Sequence, residues 1–217
     1  MKYGESTFDI LYLLIAIVGG FLILRRRKDD AGRLMGIAVL VLGLGDAFHL
    51  VPRVLNYFTA ADLGPWLGFG KLVTSITMTV FYVIVYYIWK KLYDAPADKK
   101  LTAAVWALAA VRVILCLFPQ NRWLANESGV LWGVIRNVPF VILGVLTVVL
   151  WFRKRRERRL FRNVWLYVTL SFLFYIPVAV AAGLLPILGM LMLPKTVCYV
   201  LMIAVFWKYT KADAQSA

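Results

Sequence analysis

The residues best placed to do chemistry are Asp46, His49 and Arg53, which lie at the end of an apolar segment that begins at Leu34. On a helix, their spacing brings an acid, the chain's only histidine and a guanidinium onto one face. Ionisable groups are costly against lipid, so we expect this face to point into the protein. Asp46 and His49 lie one turn apart and form a candidate proton-handling pair.

Cationic residues also interrupt the other apolar segments. The charged residues that we place in the outer half or near the midplane are one carboxylate, Asp46, and five cations: Arg53, Lys71, Arg112, Arg136 and Lys195. An ionised side chain at a helix centre costs about 2.5–3.5 kcal/mol on insertion scales, so such a number argues for a function. Because one carboxylate cannot neutralise five cations, we predict a cavity that binds a phosphate, sulfate or carboxylate group.

Hydroxyl and amide side chains near these cations would complete an anion site, and we include Ser75, Tyr82, Asn137, Tyr175 and Tyr199 among the ligand-binding residues. Two structural alternatives stay open. Arg53 and Lys71 could extend to the lipid headgroups. Asp46 could pair with Arg112 or Lys195 merely to fix helix packing.

These residues favour a membrane transporter or receptor that binds an organic anion, or a phosphate-bearing amphiphile, in an outward-facing cationic cavity. The alternative is an intramembrane enzyme acting on a phosphate-bearing lipid, with Asp46 and His49 as acid and base and the cations stabilising an oxyanion. A third class is a partner protein whose charges only pair internally. No glycine-rich nucleotide motif or serine-hydrolase elbow occurs. With so few histidines, acids and cysteines in the apolar segments, we expect neither a metal nor another cofactor.

The last apolar segment carries Lys195 near its middle, and in a seven-helix chain this resembles the retinal-binding lysine of the opsins. The resemblance covers the topology and this one residue. It implies, as a more distant alternative, a retinal protein in which Lys195 forms the Schiff base and Asp46 is the only available counterion. Lys71 departs from the pattern of microbial opsins, whose third helix carries an arginine and acidic counterions.

The elements that must position these residues are membrane helices. The chain has 217 residues, is 62% hydrophobic and has a mean hydropathy of +0.78, which is more apolar than a soluble domain. About 20 apolar residues span a bilayer, and seven such segments fit the chain, so residues 1–217 are predicted to form a single seven-helix transmembrane domain. The predicted helices are 8–24, 34–51, 66–89, 101–118, 129–152, 164–185 and 187–207.

The net charge of +14 is concentrated in alternate connections, at residues 25–33, 90–100, 153–162 and 208–211. Cytoplasmic loops of membrane proteins retain Lys and Arg, so this pattern predicts a multi-pass cell-membrane protein with the N-terminus outside and the C-terminus in the cytoplasm. The basic loops would contact anionic membrane lipids, and we expect no nucleic-acid partner.

A faint internal repeat relates two parts of the chain. Residues 46–52 match 171–177, residues 65–68 match 186–189, and each pair follows a basic segment. The pattern predicts parallel repeats of helices 1–3 and 5–7 joined by helix 4, an arrangement known among small transporters.

Overall fold

The computed structural model describes residues 2–27, 29–59, 61–96, 98–126, 129–181 and 185–215, and this part of the chain is all helical. Its α-helices are α1 (Lys2–Arg26), α2 (Asp30–Phe58), α3 (Gly64–Leu92), α4 (Lys99–Leu117), α5 (Val130–Arg153), α6 (Val164–Ala181) and α7 (Met192–Gln215). Short 3-10 helices cover Pro119–Asn121, Trp123–Ala125, Arg159–Phe161 and Pro186–Leu191. The prediction of an all-helical chain with seven long apolar helices is confirmed.

The outer surface of these helices is apolar. All seven are long and apolar enough to cross a membrane, and large aliphatic side chains such as Leu14, Ile114, Val145 and Leu173 point away from the core. Several polar side chains are buried instead. A water-soluble protein of this size rarely exposes so much contiguous apolar surface, so the distribution fits a bundle surrounded by lipid.

Consecutive helices pack against one another, and α7 also contacts α1, so the bundle is closed. α3 contacts α5 as well as its neighbours, and α2 contacts α7. The buried side chains of Phe81, Tyr82 and Tyr86 place α3 at the centre of the core. The connections after α1, α3 and α5 meet at one end, which carries the basic segments and is called the basic end below. The connections after α2, α4 and α6 meet at the opposite end.

Two helix boundaries differ from the prediction because of proline. α2 continues through Pro52 to Phe58 instead of stopping at residue 51. Pro52 has no N–H to donate, so the carbonyl of Phe48 loses its helical partner; that carbonyl lies against Gly70 of α3. A side chain at Gly70 would overlap it, so this glycine allows α3 to approach α2 beside His49.

The expectation that Lys195 lies near the middle of helix 7 is wrong. α7 begins at Met192 after the 3-10 helix Pro186–Leu191, so Lys195 is in its first turn. Pro194 fits there because the first N–H groups of a helix have no intrahelical acceptor. The start of α7 therefore places the amine of Lys195 at the end of the bundle opposite the basic end.

Candidate anion-binding site

A cavity of about 350 Å³ lies in the half of the bundle opposite the basic end. All the helices from α2 to α7 contribute residues to its lining. Four cationic side chains line it, with no carboxylate among the lining residues that the structure describes. The lining residues are His49, Lys71, Thr74, Ser75, Met78, Arg112, Trp123, Asn126, Arg136, Asn137, Phe140, Tyr175, Val178, Ala179, Met192 and Lys195. Eight of the twelve predicted ligand-binding residues thus meet at one place.

Arg112 is held rigidly at the base of this cavity and is only 1% exposed. Its Nε donates to Thr79 Oγ1 at 2.9 Å, and its Nη1 donates to Asn137 Oδ1 at 2.8 Å and to the carbonyl oxygen of Arg136 at 3.2 Å. The guanidinium lies 3.7 Å from the ring centroid of Phe140. These contacts leave Nη2 without an acceptor among the described residues, so it is the group of Arg112 that remains available to a ligand.

Arg136 also lines the cavity, from α5. Its Nη1 donates to Asn121 Oδ1 at 2.8 Å, and its guanidinium stacks over the Trp123 ring at 4.4 Å. Both partners come from the connection between α4 and α5. A side chain at Gly68 would overlap the carbonyl of Trp123, so this glycine allows the connection to pack onto α3.

Lys195 faces the cavity from α7 and is 9% exposed. Its amine lies 4.8 Å from the ring centroid of Tyr175 and 5.6 Å from that of Tyr199. Within the described part of the chain the amine has no hydrogen-bond acceptor and no carboxylate within 4 Å. Asp46 provides its nearest opposite charge, at longer range. Lys195 is therefore the cation of the cavity whose charge is least compensated by contacts.

Lys71 and His49 occupy the side of the cavity formed by α3 and α2. The amine of Lys71 is exposed and donates to Asn126 Oδ1 at 2.6 Å. The buried Nδ1 of His49 has no hydrogen-bond partner in the described residues. Ser75 also lines the cavity, although its hydroxyl already donates to the carbonyl of Lys71 at 2.8 Å.

Asn137 and Tyr175 complete the polar wall. Tyr175 donates its hydroxyl proton to Asn137 Oδ1 at 2.7 Å, the same oxygen that accepts from Arg112. The Asn137 amide nitrogen donates to the carbonyl of Gly133 at 2.8 Å. Because Asn137 Oδ1 accepts from both Arg112 and Tyr175, its role is to orient these two side chains toward the cavity.

The other four predicted site residues do not line the cavity. Asp46 accepts a 2.6 Å hydrogen bond from the Tyr12 hydroxyl, and it forms no ion pair within 4 Å with Arg112 or Lys195 in the described structure. Arg53 lies against α1, where Nη2 is 3.5 Å from Glu5 Oε2 and Nη1 is 3.9 Å from Asp9 Oδ2.

Tyr82 and Tyr199 lie below the cavity, toward the basic end. The Tyr82 hydroxyl is 3.3 Å from both the Ser171 hydroxyl and the Tyr199 hydroxyl. Phe81 and Phe172 pack edge-on or tilted against the Tyr82 ring. These aromatic side chains form a buried layer that separates the cavity from the basic end.

Sequence reasoning missed the residues that hold the cations in place. Thr79, Asn121 and Asn126 accept hydrogen bonds from Arg112, Arg136 and Lys71, and uncharged residues in loops or apolar helices give little signal by themselves. The carboxylates of Glu5 and Asp9, spaced four residues apart on α1, were a detectable signal for the position of Arg53.

The geometry suits recognition of an anion by several fixed donors. No group of three or more His, Cys, Asp or Glu among the described residues could hold a metal ion. The chain matches no protein-family model, and neither the curated proteins nor the solved structures include a significant match to it. The site itself must therefore carry any argument about function.

Proposed function

We propose that the protein is a multi-pass membrane protein that binds an organic anion, or the anionic headgroup of an amphiphile, in this cavity. The observation that carries the proposal is that Lys71, Arg112, Arg136 and Lys195 line one cavity without a carboxylate among the described lining residues. Arg112 and Lys195 are buried, and like charges held close together repel one another and are costly to desolvate. A bound anion would neutralise them and accept charged hydrogen bonds.

Two kinds of surface in the cavity indicate an amphiphilic ligand. The free Nη2 of Arg112 and the amine of Lys195 offer donors to an oxyanion. Met78, Phe140 and Val178 form an apolar wall beside them. A volume of about 350 Å³ lies within the usual range for small-molecule sites. A carboxylate or phosphate joined to a short apolar or ring-bearing group would use both surfaces.

The orientation of the cavity follows from the basic segments. Placing the basic end in the cytoplasm satisfies the positive-inside rule, which puts the N-terminus and the cavity on the outer side of the cell membrane. The aromatic layer around Tyr82 then separates the cavity from the cytoplasm. In a transporter this layer would have to open, and parallel repeats of α1–α3 and α5–α7 would provide the two moving units. In a receptor it would stay closed.

The enzymatic and retinal alternatives have less support. His49 lines the cavity, but Asp46 is hydrogen-bonded to Tyr12 outside it, so the two do not form an acid–base pair facing a common ligand. Lys195 shares its cavity with three other cations, which suits an anion better than an apolar polyene aldehyde.

Thermal unfolding of the purified protein in detergent tests the proposal. We expect phosphate, citrate or lysophosphatidic acid to raise the Tm of the parent protein. Arg136→Gln should reduce this rise, because a cavity charge is lost. Arg122→Gln should not reduce it, since Arg122 is an exposed cation of the connection between α4 and α5 and lies outside the lining. If none of the three anions raises the parent's Tm, or if both variants lose the effect equally, the cavity is not an anion site.

A further inference from the structure

A second groove lies on the outer surface at the basic end, between α6, α7 and the 3-10 helix Arg159–Phe161. Its volume is about 490 Å³. The lining residues are Arg159, Leu160, Tyr167, Leu201, Ala204, Val205 and Lys208. This groove shares no residue with the cationic cavity and lies in the other half of the bundle.

The polar side chains of the groove are not engaged elsewhere. Arg159 and Lys208 are exposed cations, and in the described part of the chain neither has a carboxylate within 4 Å. The Tyr167 hydroxyl likewise has no hydrogen-bond partner among those residues. Three donors thus face one groove with no acceptor from the protein.

Neighbouring cations of the same basic segment behave differently. Lys154 donates to Glu157 at 2.6 Å, and Arg155 lies 3.6 Å from the ring centroid of Phe152 while donating to that residue's carbonyl. These side chains fold back onto the protein. Arg159 and Lys208 instead flank a groove, which distinguishes them from a solvated run of charges.

The groove is polar at one end and apolar at the other. Lys208 is near the end of α7, and Leu201 is seven residues earlier, which is about 10 Å along a helix at 1.5 Å per residue. Ala204 and Val205 line the interval. In the proposed membrane location, the cations lie at headgroup level and the apolar wall extends into the hydrocarbon.

We propose that this groove binds an anionic glycerophospholipid. The phosphate accepts hydrogen bonds from Arg159 and Lys208, the Tyr167 hydroxyl contacts the glycerol region, and one acyl chain lies along Leu201, Ala204 and Val205. The amphipathic surface matches a lipid better than a free anion, because a free anion would leave the apolar wall uncovered. The site rests on the proposed membrane location, and it does not depend on anion binding in the cavity.

Lipid-dependent stability in detergent tests this site. The probes are dioleoylphosphatidylglycerol, dioleoylphosphatidylcholine and glycerol 3-phosphate, and the readout is Tm against probe concentration. We expect phosphatidylglycerol to stabilise the parent protein and phosphatidylcholine to have no effect, while glycerol 3-phosphate should act only through the cationic cavity. The double variant Arg159→Gln/Lys208→Gln should need at least about tenfold more of this lipid for half the effect.

A second variant changes the shape of the groove without changing its charge. Ala204→Trp fills the apolar part and should weaken the lipid effect by a similar factor. The matched controls are Lys99→Gln/Lys100→Gln, an exposed cationic pair at the same end, and Ala107→Trp on the exposed face of α4. Phosphatidylglycerol should stabilise both control variants as much as it stabilises the parent protein.

Three other outcomes would overturn the proposal. If the Lys99→Gln/Lys100→Gln control lost as much phosphatidylglycerol stabilisation as the Arg159→Gln/Lys208→Gln variant, anionic lipid would be attracted diffusely to the basic end. If the Arg159→Gln/Lys208→Gln variant lost stabilisation by glycerol 3-phosphate to the same extent as stabilisation by the lipid, the groove would be a free-anion site. Arg136→Gln reports on the other cavity: if it abolishes the phosphatidylglycerol effect, the lipid binds there and not in this groove. If it leaves the effect unchanged, the groove keeps its lipid even when anion binding in the cavity fails.

Discussion

Replacing Lys195 by methionine separates ligand recognition from structural stability. The substitution keeps the length of the side chain and removes its charge. Without ligand, the substitution removes the two ring contacts with Tyr175 and Tyr199, each worth about 0.5–1 kcal/mol or somewhat more when desolvated, and the longer-range attraction to Asp46. The substitution also stabilises the unliganded protein, because it removes the desolvation penalty of a buried ammonium, which amounts to roughly several kcal/mol. We therefore expect the unliganded variant to be at least as stable as the parent.

With ligand, the same substitution removes a charged hydrogen bond. Such a bond contributes about 1.5–3 kcal/mol, so Kd should rise roughly 10- to 150-fold. A ligand present at about 100 times Kd stabilises the parent by roughly 2.7 kcal/mol. A 50-fold weaker Kd leaves it at about twice Kd, where the stabilisation falls to roughly 0.6 kcal/mol. The anion-induced rise in Tm should therefore shrink to about a quarter.

The assay is intrinsic tryptophan fluorescence during thermal unfolding of the purified protein in detergent, with and without the anion that stabilises the parent most. Lys195→Arg is the matched control, because it keeps a cation of similar length and should retain most of the effect. The reasoning is refuted if Lys195→Met unfolds well below the parent without ligand while keeping the full anion effect. Lys195 would then be a structural cation and not a ligand-binding one.

Two further predictions concern the internal counter-charge and the orientation. Asp46→Asn should lower the free energy of unfolding of the unliganded protein by about 1 kcal/mol, because a charged hydrogen bond becomes a neutral one, and its Tm should fall accordingly. It should also tighten anion binding, because the cavity amine loses its nearest competing negative charge; unchanged affinity would show that the carboxylate and the cavity are not coupled. In a background without Cys116 and Cys198, an impermeant thiol reagent applied outside cells should label a cysteine at Leu124, which is 67% exposed, but not one at Arg156; the reverse labelling would invert the proposed topology.

The number of helices could be predicted from the sequence because membrane spanning is a local property. Each span needs about 20 apolar residues, and charged segments separate the spans, so no knowledge of packing is required. The same local logic revealed that cations outnumber acids within the apolar segments. The structure brings Lys71, Arg112, Arg136 and Lys195 together around one cavity, since all four lie near the same end of their helices.

Helix boundaries at proline were less predictable. A proline signals either the end of a helix or a tolerated break within one, and the local sequence does not distinguish the two. At Pro52 the helix continues, because the freed carbonyl of Phe48 packs against Gly70 of the neighbouring helix. At Pro194 the helix is just starting. Whether a helix continues through a proline therefore depends on the tertiary contacts around that proline.

Only the tertiary structure decided which charges meet. Helical spacing places Asp46, His49 and Arg53 on one face of α2. In the bundle, part of that face packs against α1 and part lines the cavity. Arg53 turns to the carboxylates of α1, and Asp46 accepts from Tyr12 on that helix, while His49 alone reaches the cavity. The physical reason is that periodicity fixes the direction of side chains relative to their own helix axis, whereas the partner across an interface depends on how the helices are rotated and packed in three dimensions.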